Sequence, residues 1–262
     1  MDTTIVNREG VLKDNRALTD RLFSMTIEVP DIAQALLPGQ FIHVLIPGME
    51  GHILRRPFSV YRCDGKASTL TVLYQVVGYG TEHLTRLGVG TFLNVLGPIG
   101  RPWRAPENTH RALLVSGGVG AAPLYLHAAD LMKRGVDVEM VMGSQSESSL
   151  VCRKDYSSLL GTEPLCATDD GSYGHAGFCT DLVKKRIDEA PFDYVACCGP
   201  EPMMRIVSSL ALDAGIVTEV SLERRMACGI GACLSCVVST KQGNRRACVD
   251  GPIFDADEVI WE

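Results

Sequence analysis

The 262-residue sequence lacks the features that mark membrane-spanning or nucleic-acid-binding proteins. Lys and Arg total 25 against 31 Asp and Glu, so the net charge is −6 and no basic excess is present to bind phosphate backbones or anionic lipid. The apolar runs fall far short of the ~20 residues that cross a bilayer. Residues 1–10 show no basic start followed by an apolar core. We therefore expect no signal peptide and a cytoplasmic protein.

At about 150 residues per domain, the length of the chain favours two domains, with room for a small appendage.

The first hundred residues predict a small antiparallel β-barrel. One short helix is expected at 81–87, between two glycines. The β-rich segments are short and closely spaced, and they are bounded by Gly, Pro or Asp: 21–29, 40–47, 58–63, 69–77 and 91–98.

A stretch rich in Pro and Gly at 98–106 is a plausible domain boundary, and a different pattern follows it. Predicted strands at 112–116, 136–143, 164–170, 192–199 and 216–223 alternate with predicted helices at 123–134, 149–160, 178–189 and 201–214. This alternation is typical of a doubly wound parallel α/β sheet. We therefore predict three domains, at 1–104, 105–222 and 223–262, the last with few regular elements.

Four of the ten cysteines, Cys228, Cys233, Cys236 and Cys248, lie within 21 residues near the C-terminal end of the sequence. Their spacing, C-x4-C-x2-C-x11-C, matches the pattern that holds plant-type [2Fe–2S] clusters, and adjacent glycines allow amide N–H groups to approach the sulfurs. Zinc or unliganded reduced thiols are the alternatives. The other six cysteines are scattered, and five of them are expected to be small buried side chains.

Residues 224–249 contain no Asp or Glu but carry five basic side chains: Arg224, Arg225, Lys241, Arg245 and Arg246. These cations would stabilise the reduced, more negative state of a cluster. They could equally form a docking surface for an acidic partner.

Two glycine-rich turns in the α/β region predict a dinucleotide site. The segment SGGVGAAPL (116–124) follows a strand and opens a helix, so Gly117, Gly118 and Gly120 would let a pyrophosphate approach the backbone. The segment CGPEPMM (198–204) is the equivalent turn after a later strand. Both turns should lie beside one crevice at the carboxyl ends of the strands.

Two motifs in the barrel region predict a second phosphate site. In RPFSV (56–60), Arg56 could pair with a pyrophosphate and Ser59 could hydrogen-bond a flavin ring. In GYGT (78–81), Gly80 and Thr81 begin the short helix and form a phosphate-binding turn. A surface arginine and an ordinary helix cap are the structural alternatives.

Together these motifs resemble those of the ferredoxin–NADP reductase superfamily, which joins an FAD-binding β-barrel to a nicotinamide-binding α/β domain. The matching residues are Arg56, Pro57, Phe58 and Ser59, then Gly78 to Thr81, Gly118 to Pro123, and Cys198 to Pro200. The C-terminal segment SLERRMACGIGAC…CVDGPIF is further similar to the electron-transfer subunits of B-type dihydroorotate dehydrogenases, which extends the resemblance over the whole chain.

The resemblance implies roles for further residues. Leu73, Tyr74 and Gln75 should line the flavin and its ribose, with Tyr74 against the ring, although a core aromatic on a strand would look the same. Cys198 should lie near the nicotinamide as a catalytic residue, whereas its structural alternative is a buried thiol.

The same resemblance implies cofactors, a partner and a pathway. The cofactors are FAD, a [2Fe–2S] cluster and NAD, and the partner is an FMN-containing dihydroorotate dehydrogenase catalytic subunit, in a heterotetramer with two copies of each. The reaction belongs to pyrimidine biosynthesis. From the residues themselves, NAD is expected over NADP because the loop 143–150 contains no Lys or Arg and carries Glu147, although Arg153 and Lys154 follow it closely.

Two other functions remain open at this point. One is a flavin and iron–sulfur NAD(P)H reductase subunit of another complex, of the sulfide dehydrogenase or hydrogenase diaphorase type. The other is a non-catalytic zinc protein that senses nucleotides.

Overall fold

The structure is a computed structural model that describes residues 4–49 and 51–261. The chain forms two compact units. The first contains residues up to 102 together with 223–237 and 246–252, and the second contains 103–222 with 238–245 and the remaining C-terminal residues. The cysteine-rich segment therefore does not stand apart, because all four of its cysteines belong to the first unit.

The first unit is built on a closed six-stranded antiparallel barrel with the strand order β1-β2-β5-β4-β3-β6. Alternate side chains such as Ile42, Val44, Leu70 and Val72 are fully buried and form its core. Two short helices accompany the barrel, α1 (Pro30–Ala35) and α2 (Tyr79–Leu84). The strands are β1 (Val6–Ala17), β2 (Leu22–Glu28), β3 (Phe41–Leu45), β4 (Arg56–Asp64), β5 (Thr69–Gln75) and β6 (Phe92–Ile99).

The strand β1 is absent from the sequence-based prediction. Its residues VNREGVLKDNRA are mostly polar, and the pairing register with β2 shifts between Leu12 and Asp14. These two features break the alternation that reveals a strand. Backbone pairing with β2 on one side and β6 on the other holds these residues in a strand, and it closes the barrel.

The second unit contains a seven-stranded sheet with the order β10-β9-β8-β7-β11-β12-β15. All neighbouring pairs are parallel except β12 with β15. The strands are β7 (Arg111–Gly117), β8 (Asp137–Ser144), β9 (Leu165–Thr168), β10 (His175–Ala176), β11 (Tyr194–Cys198), β12 (Val217–Ser221) and β15 (Ile253–Asp255), and the helices are α3 (Ala121–Lys133), α4 (Arg153–Leu160), α5 (Cys179–Glu189) and α6 (Glu201–Asp213).

The chain order reverses between β7 and β11. From β7 the sheet grows through β8 and β9 in one direction, and from β11 it grows through β12 in the other. Ligands of open α/β sheets bind at such a switch point, outside the carboxyl ends of the strands. The predicted fold, a barrel followed by a doubly wound α/β domain and a cluster-binding segment, is confirmed.

The C-terminal residues contain more regular structure than expected. Strands β13 (Val237–Thr240) and β14 (Gly243–Arg246) form a two-stranded sheet, and β15 adds to the edge of the large sheet. Within the described residues, no helix is both long enough and apolar enough to cross a membrane.

Candidate functional site

The two phosphate-binding motifs of the barrel lie together. A Cβ added to Gly80 would stand 2.7 Å from Nε of Arg56, so the guanidinium rests directly on the backbone of the turn that opens α2. The Oγ1 atom of Thr81 accepts hydrogen bonds from the N–H groups of Val77, at 2.9 Å, and Gly78, at 3.2 Å. A cationic side chain over a fixed turn is an arrangement suited to a diphosphate.

The remaining predicted flavin residues lie on the neighbouring strands β4 and β5, where Val60 pairs with Val72. Phe58 and Leu73 are buried, Ser59 is partly buried, and Pro57 and Gln75 are exposed.

Tyr74 is only 3% exposed. Its hydroxyl donates to Oδ1 of Asn15 at 2.9 Å, and its ring stacks on Phe23 with a centroid distance of 5.5 Å. Burial raises the pKa of Tyr74 to about 12, with the Asn15 hydrogen bond opposing the shift. These are the contacts of a core aromatic residue, and its role against a flavin ring stays a prediction.

The two glycine-rich turns of the second unit pack against each other at the switch point. Ser116 at the end of β7 pairs with Cys198 at the end of β11. A Cβ on Gly120 would lie 2.3 Å from the carbonyl oxygen of Cys198, and a Cβ on Gly117 would lie 2.5 Å from Cδ of Pro200. Only glycine permits so close an approach at these two positions, which lie at the opening of α3.

Gly118 has a different part in the same turn. Its φ is +55° and a Cβ there would meet no atom within 4 Å, so this glycine faces open space. That space is where the sequence analysis places a coenzyme pyrophosphate. The Cys198 side chain is buried at 2% exposure, beside this crevice.

The side chains of the four clustered cysteines interact with one another. The Cys228 thiol interacts with the Cys233 side chain, and the Cys248 thiol interacts with those of Cys236 and Cys228. Cys236 and Cys248 are buried, whereas Cys233 is exposed. Among the described residues, no group of three or more His, Cys, Asp or Glu side chains converges on one point as the ligands of a single metal ion do. The C-x4-C-x2-C-x11-C spacing is what favours a two-iron cluster over zinc.

The backbone around Cys228 is arranged to stabilise a thiolate. The N–H groups of Ile230 and Cys233 point at its Sγ, at 3.5 and 3.4 Å. Burial raises the pKa of Cys228, but these hydrogen bonds outweigh it and bring the pKa down to about 6. Burial and the Cys236 thiol raise the pKa of Cys248 to about 12. The donor set and its amide cradle therefore fit an iron–sulfur cluster.

Two side chains brace the segment 228–236, which we call the cluster loop. Arg246 donates from Nη1 to the Gly231 carbonyl at 3.3 Å and from Nε to Oδ2 of Asp250 at 3.0 Å. His43, on β3 of the barrel, lies against Gly229, where a Cβ would stand 2.7 Å from its Nδ1. The sequence analysis did not find His43, because nothing in the segment 40–47 links it to cysteines nearly 190 residues later.

Comparison with known families is consistent with this geometry. The FAD-binding domain of oxidoreductases matches residues 9–103, and the oxidoreductase NAD-binding domain matches 114–209. Residues 223–260 match the iron–sulfur cluster binding domain of dihydroorotate dehydrogenase B. The predicted FAD, NAD and iron–sulfur cofactors are thereby confirmed.

Three similar proteins extend over nearly the whole chain. The electron transfer subunits of dihydroorotate dehydrogenase B (NAD(+)) from Desulforamulus reducens and Geobacillus kaustophilus are each 36% identical, over 92% and 98% of this chain and 93% and 100% of theirs. A chain of the NADH-dependent reduced ferredoxin-NADP oxidoreductase structure, solved in connection with flavin-based electron bifurcation, has a TM-score of 0.87 at 30% identity. That match covers 96% of this chain and 90% of the other.

Proposed function

Because this chain belongs to the family of dihydroorotate dehydrogenase B electron-transfer subunits, we propose that it carries electrons from a separate dihydroorotate-oxidising subunit to NAD+ in pyrimidine biosynthesis. The observation that carries the proposal is that all four clustered cysteines lie in the same unit as the flavin motifs of β4 and β5. FAD exchanges a hydride with nicotinamide and single electrons with an iron–sulfur cluster. It can therefore link these two groups, which cannot exchange electrons directly.

Separate groups of residues bind the three cofactors that this electron transfer requires. Arg56 and the turn through Thr81 would hold the FAD diphosphate, Ser59 would meet the flavin ring, and the turn 117–120 would bind the coenzyme pyrophosphate. Cys198 would lie beside the nicotinamide. Cys228, Cys233, Cys236 and Cys248 would hold one [2Fe–2S] cluster.

The exposed side of the cluster loop supports docking of the partner. Ile230 and Leu234 are 55% and 63% exposed, and they flank the exposed Cys233. Exposed apolar side chains beside a redox centre are typical of a protein interface. We place the interface with an FMN-containing catalytic subunit there, in a heterotetramer with two copies of each chain. A cytoplasmic location is in keeping with ten cysteines that are all free of disulfides.

NAD is proposed over NADP because the nearest arginine beyond β8 is already engaged. Nη1 of Arg153 donates to the Tyr173 hydroxyl at 2.6 Å, and the guanidinium lies 4.4 Å from the centre of that ring. It also pairs with Glu163 at 3.4 Å. A coenzyme 2′-phosphate would have to compete with these contacts.

Reconstitution tests both proposals. The purified chain should reduce a dye with NADH and should not react with dihydroorotate. Addition of the FMN-containing subunit should create dihydroorotate-dependent reduction of NAD+, with NAD+ giving the higher kcat/KM. No coupled activity in a complex that forms by size-exclusion chromatography would reject the function, and a kcat/KM that favours NADP+ would reject the coenzyme assignment alone.

A second candidate is supported by the 30% identity to a chain of the NADH-dependent reduced ferredoxin-NADP oxidoreductase. The chain would then serve a different partner complex with the same two units. Affinity purification of the native complex decides between them, since the candidates predict different partner subunits.

A further inference from the structure

His43 is a buried polar residue whose hydrogen-bonding capacity is unused. Its side chain is fully buried, and neither ring nitrogen has a hydrogen-bond partner among the described residues. Burial, with a smaller contribution from Arg55, lowers the pKa of His43 to about 4. The ring is therefore neutral at physiological pH and carries one N–H donor and one acceptor nitrogen.

Such a group is uncommon in a folded protein. The large majority of buried side-chain polar atoms are hydrogen-bonded, because an unsatisfied donor costs roughly 1–3 kcal/mol. An apolar side chain at this position would avoid the cost of the unsatisfied ring nitrogens. The unused nitrogens therefore suggest a partner that belongs to the loaded protein.

The position of the ring identifies where that partner lies. Gly229 has a φ of +72° and directly follows Cys228, and a Cβ on it would stand 2.7 Å from Nδ1 and 2.8 Å from Cε1 of His43. The ring thus contacts the cluster loop next to its first cysteine. A glycine at this point lets the imidazole reach the loop with no side chain between them.

The other neighbours of His43 connect the cluster loop with the flavin motif. On the barrel, His43 pairs with Pro57, and Phe41 pairs with Ser59, both in the segment that resembles the flavin motif. Paired residues on antiparallel strands share a face of the sheet. One face of β3 and β4 therefore carries the flavin motif residue Ser59 and the side chain that contacts the cluster loop.

We propose that a ring N–H of His43 donates a hydrogen bond to a sulfur atom of the [2Fe–2S] cluster held by the cluster loop. The proposal rests on the cysteine assignment made above. Hydrogen bonds to cluster sulfurs favour the reduced, more negative state and raise the reduction potential. His43 would thus adjust the potential of the centre from the side of the flavin motif.

The direct test is spectroscopic. Full-length protein is prepared with imidazole-ring 15N-histidine, reduced, and examined by pulsed EPR for coupling of the cluster spin to 15N. Coupling is expected in the wild-type chain. Its absence from a protein that contains the cluster would overturn the proposal, whether or not any variant folds.

Two substitutions and one control separate hydrogen bonding from packing. His43→Leu keeps a similar volume without a donor, and it should lose the 15N coupling and lower the cluster potential. The expected fall is on the order of tenfold in the reduced-to-oxidised ratio at a fixed ambient potential, or about 59 mV for one electron. His43→Asn retains an N–H and should recover part of the shift. Ile42→Val alters packing on the opposite face of β3, away from the His43 ring, and should leave the potential unchanged.

The outcomes also separate this proposal from the cysteine assignment. Iron and sulfide analysis of the wild-type chain establishes whether the cluster is present, and its absence would contradict the cysteine assignment. A full complement of iron and sulfide in His43→Leu with an unchanged potential would contradict the role of His43 alone.

Discussion

The nicotinamide turns and the cluster loop both depend on glycine, but they are held by different parts of the protein. At Gly120 the obstacle to a side chain is backbone, the carbonyl of Cys198 on the adjacent strand. At Gly229 and Gly231 the obstacles are side chains, among them His43 and Arg246. The nicotinamide turns are therefore positioned by the parallel strands that carry them. The cluster loop is instead positioned by side chains that are distant in sequence.

The largest effect should come from breaking the cluster loop at a ligand. Cys233→Ala removes one of four thiolates, and we expect complete loss of the reduced-state EPR signal together with the iron and sulfide. The loop should also become less protected from hydrogen exchange, because metal-binding energy there is folding energy. Cys63→Ala, in the same unit but outside the loop, should retain the cluster. About one zinc and no sulfide per wild-type chain would contradict the assignment.

The next effect should come from the backbone contact of the nicotinamide turns. Gly120→Ala forces the two turns apart, and we expect a loss of about 3 kcal/mol in the free energy of unfolding, the upper end of the usual cost of overpacking. NADH affinity should fall as well. Gly118→Ala in the same turn meets no neighbouring atom, so it should cost only the roughly 1 kcal/mol of left-handed strain. Equal urea denaturation midpoints for the two variants would contradict this account.

The FAD motif depends on both a side chain and a glycine backbone, and a substitution there should have the smallest effect of the three. Arg56 is a side chain, and it rests on the backbone of Gly80. Arg56→Ala should weaken FAD binding by about 1.5–3 kcal/mol, the value of a hydrogen bond to a charged group. This corresponds to roughly 10- to 100-fold in Kd. Arg86→Ala, at an exposed ion pair with Glu82, is the control. Unchanged FAD affinity in Arg56→Ala would show that this residue is not a ligand.

The sequence predicted the features that depend on neighbouring residues, and it did not predict those that depend on contacts between residues distant in sequence. Alternating strands and helices predicted the parallel sheet, and the cysteine spacing predicted an iron–sulfur centre, because both patterns are local. The polar strand β1 was not predicted, since its assignment depends on pairing with β2 and β6. His43 was not predicted either, because only the folded chain brings β3 to the cluster loop.

Two predicted details of the site depend on side-chain surroundings. The position of Tyr74 against a flavin ring stays a prediction, and its hydroxyl and ring contact Asn15 and Phe23 within the barrel. Arg246 was considered as either a cluster-tuning or a docking residue. It is held by Asp250 and the Gly231 carbonyl, which makes it a brace of the cluster loop.

The central claim is that the chain couples dihydroorotate oxidation to NAD+ through the centre held by the cluster loop. The most direct measurement compares wild-type chain and Cys233→Ala, each loaded with FAD and assembled with the FMN-containing subunit, for two activities. We predict that the variant keeps reduction of a dye by NADH, elutes with its partner on size exclusion, and loses dihydroorotate-dependent NAD+ reduction. Coupled NAD+ reduction at the wild-type rate in a variant complex free of iron and sulfide would contradict the account.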